Sequence, residues 1–182
     1  MSGLVVALAG TDHHPFDRMV QWVDAAAERR RDVRFVIQHG ATRPPLVAEG
    51  HGFLSHARLV DVLSEASAVV CHGGPGLITE ALEAGHVPLC MPRDPSLGEH
   101  VDGHQQRFAR LVGQAGIVRL VPSLDAFHRE LDKALAETPG SRAAHAATAA
   151  RDTARARIAA ELDDLICRRP GRLGRRRRVA AP

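Results

Sequence analysis

The stretch AVVCHGGPGLITEALEAGHVPLCMP, Ala68 to Pro92, constrains the fold more than any other part of the chain. Ala68 to Cys71 is a short apolar run of the kind a buried parallel strand needs. His72-Gly73-Gly74-Pro75-Gly76 breaks the run, Leu77 to Ala84 carries apolar residues at helical spacing, Gly85 stops the helix, and Val87 to Met91 is apolar again. Pro75 suits the first turn of a helix, where a missing N–H costs little. Glycines there let a ligand approach the backbone, and the unpaired amides and dipole of a helix start favour an anion. The stretch therefore reads as a βα turn at the carboxyl end of a central strand, where open α/β sheets place their ligands. A tight turn without a ligand has the same local grammar. The glycines follow neither GxGxxG nor GxxxxGK[ST], which excludes the common dinucleotide fingerprint and the P-loop.

Around this stretch, strands and helices alternate. Strands are expected at Leu4–Ala9, Val33–Gln38, Gly52–Leu54, Ala68–Cys71, Val87–Met91 and Ile117–Val121. Helices are expected at Phe16–Arg29, Ala57–Glu65, Leu77–Ala84, Glu99–Ala115 and, capped by Ser123, up to Glu137. Alternation of this kind predicts an α/β fold: one Rossmann-like domain over residues 1–138, with a mostly parallel sheet of about six strands covered on both faces. Pro139-Gly140 breaks the chain, an Ala/Arg-rich helix is expected over 139–167, and residues 168–182 read as a disordered basic tail.

Charge separates the body from that tail. Residues 168–182 hold seven arginines and no acid; taking these from the chain's +3 leaves residues 1–167 at −4. The basic character therefore belongs to the tail, and no basic folded face points to nucleic acid. The three cysteines, Cys71, Cys90 and Cys167, are odd in number and widely spaced, which argues against a disulfide framework and for a reducing compartment. No apolar run is long enough for a transmembrane helix, and no leader is expected ahead of the first strand.

Three blocks together resemble one family. Gly10-Thr11 with Pro15-Phe16-Asp17-Arg18-Met19-Val20 is similar to the GT…PFDRLV opening of the soluble subunit of two-part UDP-N-acetylglucosamine transferases. Cys71 to Gly76, with Glu80-Ala81-Leu82, Gly85 and Pro88, resembles the HxGxG…EAL..G.P core of the glycosyltransferase family 28 C-terminal domain. Pro92-Arg93, Glu99 to Gln105 and Gly116 resemble the PR…EHxDxHQ…G block of the bacterial exopolysaccharide members. The resemblance spans roughly residues 3–135. It implies the C-terminal-type, donor-binding half of a GT-B glycosyltransferase split into two chains. A membrane-associated partner would hold a lipid-linked acceptor, and this chain would sit in the cytoplasm against the membrane through that partner. The UDP-sugar would be a substrate, and no cofactor or metal is expected. Alone, the chain would offer the face its partner covers for self-association. A non-catalytic nucleotide-sugar-binding module is the alternative.

The resemblance also implies roles. Gly73, Gly74 and Gly76 would offer amides to the donor diphosphate, with His72 beside them; His72 is equally readable as a structural histidine. Glu80 would accept the ribose hydroxyls, against the alternative of a solvated helix carboxylate. Gln105, with His104 and Asp102, would meet the sugar; Asp102 and Gln105 are equally readable as a capping box, and the two readings are compatible. Base contacts would come from the chain near Leu54. Gly10 and Thr11 would face the cleft. The family places histidine directly after that threonine; this chain has Asp12, followed by His13 and His14. Asp12 and His14 are the candidates for catalysis; no residue stands out clearly as the general base, and the partner chain is the other place for it. His100 and His104 have the i, i+4 spacing of a metal pair on a helix, with Glu99 and Asp102 nearby, although Gly103 weakens a helix there.

Overall fold

A computed structural model of the chain describes residues 3–137. Six strands form one sheet: β1 Leu4–Leu8, β2 Arg34–Gln38, β3 Glu49–His51, β4 Ala68–Cys71, β5 Leu89–Cys90 and β6 Arg119–Leu120. Their spatial order is β3-β2-β1-β4-β5-β6, and every pairing is parallel. The helices are α1 Asp17–Arg29, α2 His56–Glu65, α3 Pro75–Glu83, α4 His104–Gln114 and α5 Leu124–Ala136.

Side chains alternate across a strand, so β1 feeds both faces of the sheet. Val5 and Ala7 join a core built with Met19, Val20 and Val23 of α1 and Phe127 and Leu131 of α5. Leu4, Val6 and Leu8 join a second core with Leu59, Val62 and Leu63 of α2. A third cluster seats Cys71 and Cys90 against Ile78 of α3 and Ala109 and Val112 of α4. Both cysteines are free thiols; Cys167 and the expected C-terminal helix and tail lie outside the described residues.

Most expected elements are present, with shifted ends. Ser55 caps α2, accepting from the Arg58 amide at 3.3 Å, and Ser123 caps α5, accepting from Ala126 at 3.2 Å. Two expectations are corrected. The third strand is Glu49–His51 instead of Gly52–Leu54, because its edge pairing with β2 runs Val36–Glu49, Ile37–Gly50 and Gln38–His51. The chain before β3 is fixed by Asp24 of α1, whose carboxylate accepts the amides of Leu46, Val47 and Ala48 at 2.8–3.1 Å. The helix expected from Glu99 starts only at His104, and Glu99–Gly103 is irregular. Glu99 is drawn instead into a two-pronged ion pair with Arg18, Nε–Oε1 3.0 Å and Nη2–Oε2 2.7 Å, and also accepts the Asp94 amide at 2.7 Å. A bidentate charge-assisted pair in a largely enclosed site outweighs the modest helix preference of these five residues.

Candidate donor site at the carboxyl edge of the sheet

The chain winds outward from β1 to β3, then crosses back to β4 and winds the other way. The carboxyl ends of the adjacent strands β1 and β4 therefore diverge into a crevice, the usual ligand position in such a sheet. Ala9 to Phe16 leaves β1 on one side; His72 to Gly74 leaves β4 on the other.

On the β4 side, Gly74 caps α3 and Pro75 takes its first position. The first intrahelical bond runs from the Ile78 amide to the Gly74 carbonyl at 3.2 Å, so the amides ahead of it lack intrahelical acceptors. Gly73 has φ +90°, and a Cβ there would approach Cys90 Sγ to 3.2 Å. Gly74 at the cap and Gly76 in the first turn lie at the helix start that would face an anion. Glu80, one and a half turns into α3, is half-buried. Its Oε2 is enclosed and has no hydrogen-bond partner among the described residues. A buried carboxylate oxygen without a donor is costly, so the site is built to receive one.

His72 stands between the two sides. Its ring is flanked by glycines: a Cβ on Gly10 would lie 2.5 Å from Nε2, and one on Gly74 would lie 2.4 Å from Cε1. Its Nδ1 is 3.3 Å from Gln105 Oε1, an acceptor, which places the ring proton on Nδ1. Burial drives the His72 pKa down to about 4, with Arg93 adding to the effect and Gln105 opposing it. His72 is thus a neutral, fixed imidazole rather than a cation for a diphosphate. Gln105 is only 6% exposed and faces inward. The Asp102–Gln105 capping box does not form: Asp102 Oδ1 takes the His104 amide at 2.9 Å, and Gln105 turns to His72.

On the β1 side, Asp12 accepts the His14 amide at 2.7 Å and His14 Nδ1 at 2.6 Å through the same oxygen, while His100 Nε2 lies 3.3 Å from the other. Burial raises the Asp12 pKa, but the His14 amide and ring, with Arg93 behind them, bring it down to about 2. An ionised carboxylate only accepts, so the His14 proton sits on Nδ1 and its Nε2 lone pair is free of this contact. Thr11 is exposed. Asp102 and His104 are about half-exposed, at 57% and 54%, and reach Asp12 only through His100, whose ring lies 4.7 Å from that of His104. Leu54 packs on the core beneath β1 and α2, and the adjacent Phe53 is 63% exposed at the same edge of the sheet.

Two residues not assigned from sequence hold these parts together. Arg93 is 1% exposed. Its guanidinium donates to the carbonyls of Ala9 at 2.8 Å, His14 at 2.7 Å and Glu99 at 2.9 Å, and it stacks on Phe16 at 4.7 Å. Arg18 binds Glu99 and the Pro92 carbonyl, the latter at 2.8 Å. The blocks PFDR, PR and EH are therefore one bolt between the loop after β1 and the loop before α4. Their co-occurrence was the available signal. Beside the bolt, Pro15, Arg18, Gln21, Leu97 and Glu99 line an open cleft of about 350 Å³.

The described geometry defines a doubly wound α/β domain with an anion-ready helix start and an unsatisfied carboxylate at its switch point. The family model of the glycosyltransferase family 28 C-terminal domain matches residues 5–162, and the chain belongs to that family. Solved structures give the same fold. The glycotransferase of kitacinnamycin aligns with TM-score 0.61 and 18% identity over 80% of this chain and 38% of its own. CalG4, the calicheamicin glycosyltransferase, aligns with TM-score 0.59 and 18% identity over 93% and 43%. A UDP-GlcNAc 2-epimerase from Neisseria meningitidis, solved bound to UDP-GlcNAc, aligns with TM-score 0.53 and 15% identity over 80% and 38%. The chain spans less than half the length of each. Comparison with curated proteins returns no match. Among the described residues, no helix is long and apolar enough to cross a membrane.

The His72 environment carries a pH prediction. Its folded pKa lies below the 6.5 of a free imidazole, at about 4. The unfolded chain therefore binds the extra proton first, and stability is lost as pH falls from about 6.5 to about 4. A shift of that size corresponds to about 3 kcal/mol. Urea unfolding of the wild type and His72→Gln across this window is expected to show a steeper decline for the wild type by that order. Parallel curves would remove the buried neutral histidine from the account.

Proposed function

We propose that the chain is the donor-binding half of a two-part UDP-sugar transferase that moves N-acetylglucosamine onto a lipid-linked acceptor. The observation that carries the reading is Glu80, whose enclosed Oε2 lacks a donor among the described residues and lies beside the start of α3. A nucleoside diphosphate supplies what each feature lacks: ribose hydroxyls for Glu80, and phosphate oxygens for the amides at Gly74 and Gly76. Gln105, and His104 and Asp102 at the rim, face the sugar; the chain at Leu54 borders the base; Gly10 and Thr11 border the cleft.

Transfer is a direct displacement with inversion. The acceptor oxygen bonds the anomeric carbon as the bond to the diphosphate breaks, and the departing UDP keeps the electron pair. The helix start and its amides receive the growing negative charge without a metal. His14 Nε2 takes the acceptor's proton, and Asp12 on Nδ1 steadies the imidazolium that results. The acceptor-binding half is a separate membrane-associated chain, which brings this one to the inner face of the membrane. Leu97 and Val101, 61% and 74% exposed beside the bolt, support a protein surface docking there.

Calorimetric titration with UDP and UDP-N-acetylglucosamine tests the reading. Binding in the micromolar-to-millimolar range is expected, and Glu80→Ala should weaken it at least about tenfold, or about 1.4 kcal/mol. Equal affinity in the variant, or no binding to several millimolar with the partner co-expressed, would overturn it. Binding that leads to no transfer with partner and acceptor present would favour a non-catalytic module.

A further inference from the structure

His72 follows the last residue of β4, and Gln105 is the second residue of α4. Gln105 is 6% exposed, and its amide makes one hydrogen bond among the described residues: Oε1 lies 3.3 Å from His72 Nδ1. The two N–H groups of that amide have no acceptor among the described residues. A largely buried amide with both donors unused is costly, as the Glu80 oxygen is, and points to a ligand that brings acceptors.

A primary amide can offer a neighbour either its oxygen or its nitrogen, so its orientation is chosen by what it meets. Here His72 makes the choice. A Cβ on Gly74, the cap of α3, would lie 2.8 Å from His72 Nε2, so that nitrogen stands against the helix start. The positive end of a helix favours a lone pair there over an N–H. The ring is neutral, because burial drives its pKa down to about 4, and its one proton is therefore on Nδ1. The backbones of Gly10 and Gly74 approach too closely for the ring to turn over and exchange its nitrogens.

We propose that His72 is a positioning residue: its Nδ1–H holds Gln105 by Oε1, so that Gln105 turns only N–H donors toward the crevice and recognises the donor sugar through the lone pairs of an oxygen substituent. The role rests on the donor-binding reading given above. It narrows the substrate class to sugars with a hydroxyl or acyl oxygen opposite Gln105. A sugar without oxygen there leaves both donors unfilled, a mismatch that polar sites reject strongly.

The test has two readouts on the full chain. Long-range proton–nitrogen correlation spectra of the imidazoles report which nitrogen carries the proton, and His72→Asn assigns the signal by removing it. The proton is expected on Nδ1; a proton on Nε2 overturns the proposal. Calorimetry then gives, for each variant, the ratio of UDP-N-acetylglucosamine affinity to UDP affinity. His72→Leu and Gln105→Ala should each lower that ratio about fivefold, the size of one net hydrogen bond, and the double variant should lower it no further. A merely structural histidine would weaken both ligands together and leave the ratio unmoved. Gln105→Glu keeps an acceptor toward His72 but replaces the donor face by an acceptor, and should lower the ratio as well. His72→Asn, which restores an N–H near the position of Nδ1, should recover most of it. UDP binding with an unchanged ratio in His72→Leu, or additive losses in the double variant, overturns the positioning role and leaves the donor reading standing. No UDP binding to several millimolar with the partner co-expressed overturns the donor reading and this role with it.

Discussion

Replacing Arg93 by methionine is expected to destabilise the domain by about 3–5 kcal/mol, the range found when one partner of a buried charged pair is removed. Methionine fills much of the volume, so the cost comes from what the guanidinium leaves behind. The carbonyls of Ala9, His14 and Glu99 lose their donor in a site only 1% exposed. Each buried acceptor so abandoned costs about 1–3 kcal/mol. Asp12 and Glu99 also lose a neighbouring positive charge. Arg93→Lys restores that charge but not the three-way fork, and should recover only part of the loss. Urea unfolding measures both. Arg34→Met is the control: its pair with Glu49 is roughly half-exposed on both sides, and its loss should cost under about 1 kcal/mol. An Arg93→Met value as small as that of Arg34→Met would mean that the two loops are held by something else.

The second large effect is expected at Gly10. Its φ is +83°, and an added Cβ would stand 2.5 Å from Nε2 of His72. Left-handed backbone costs a residue with a Cβ about 1–2 kcal/mol, and forcing an atom into a packed site a further 1–3 kcal/mol. His72 cannot retreat, because Gly74 closes on its other face and Gln105 holds Nδ1. Gly10→Ala should therefore cost about 3–4 kcal/mol by unfolding. It should also weaken UDP binding, since a displaced His72 presses on the start of α3. Gly116→Ala isolates the backbone contribution: φ there is +71°, with nothing within 4 Å of the added atom. It should cost only about 1–2 kcal/mol. If both alanines cost the same, the contact between Gly10 and His72 is not what the structure depicts.

Much of the fold is legible from local patterns. The apolar run at Ala68–Cys71 can be satisfied only by burial on both faces, and β4 is the strand next to the switch point. Pro75 can only open a helix at such a turn, and α3 begins there. Ser123 ahead of an apolar period announces α5. The weak edge strand is not legible locally because a three-residue strand carries no period of its own; pairing with β2 and the Asp24 clamp decide its register. The start of α4 is hidden for the reason seen at Glu99, where a partner 81 residues away outbids the local helix.

The site divides along the same line. Local sequence chemistry determines the glycine turn, its proline and the carboxylate one and a half turns on, because turn and helix geometry depend on neighbouring residues alone. It also places Asp12, His13 and His14 in one loop. Only the tertiary structure decides that His72 is a neutral ring between two glycines, that Gln105 faces it instead of capping its own helix, and that His100 reaches Asp12. It alone makes Arg93 and the Arg18–Glu99 pair the bolt under both loops. Those outcomes rest on burial and on charges brought together from distant positions, and neither desolvation nor a long-range ion pair has a local signature in the chain.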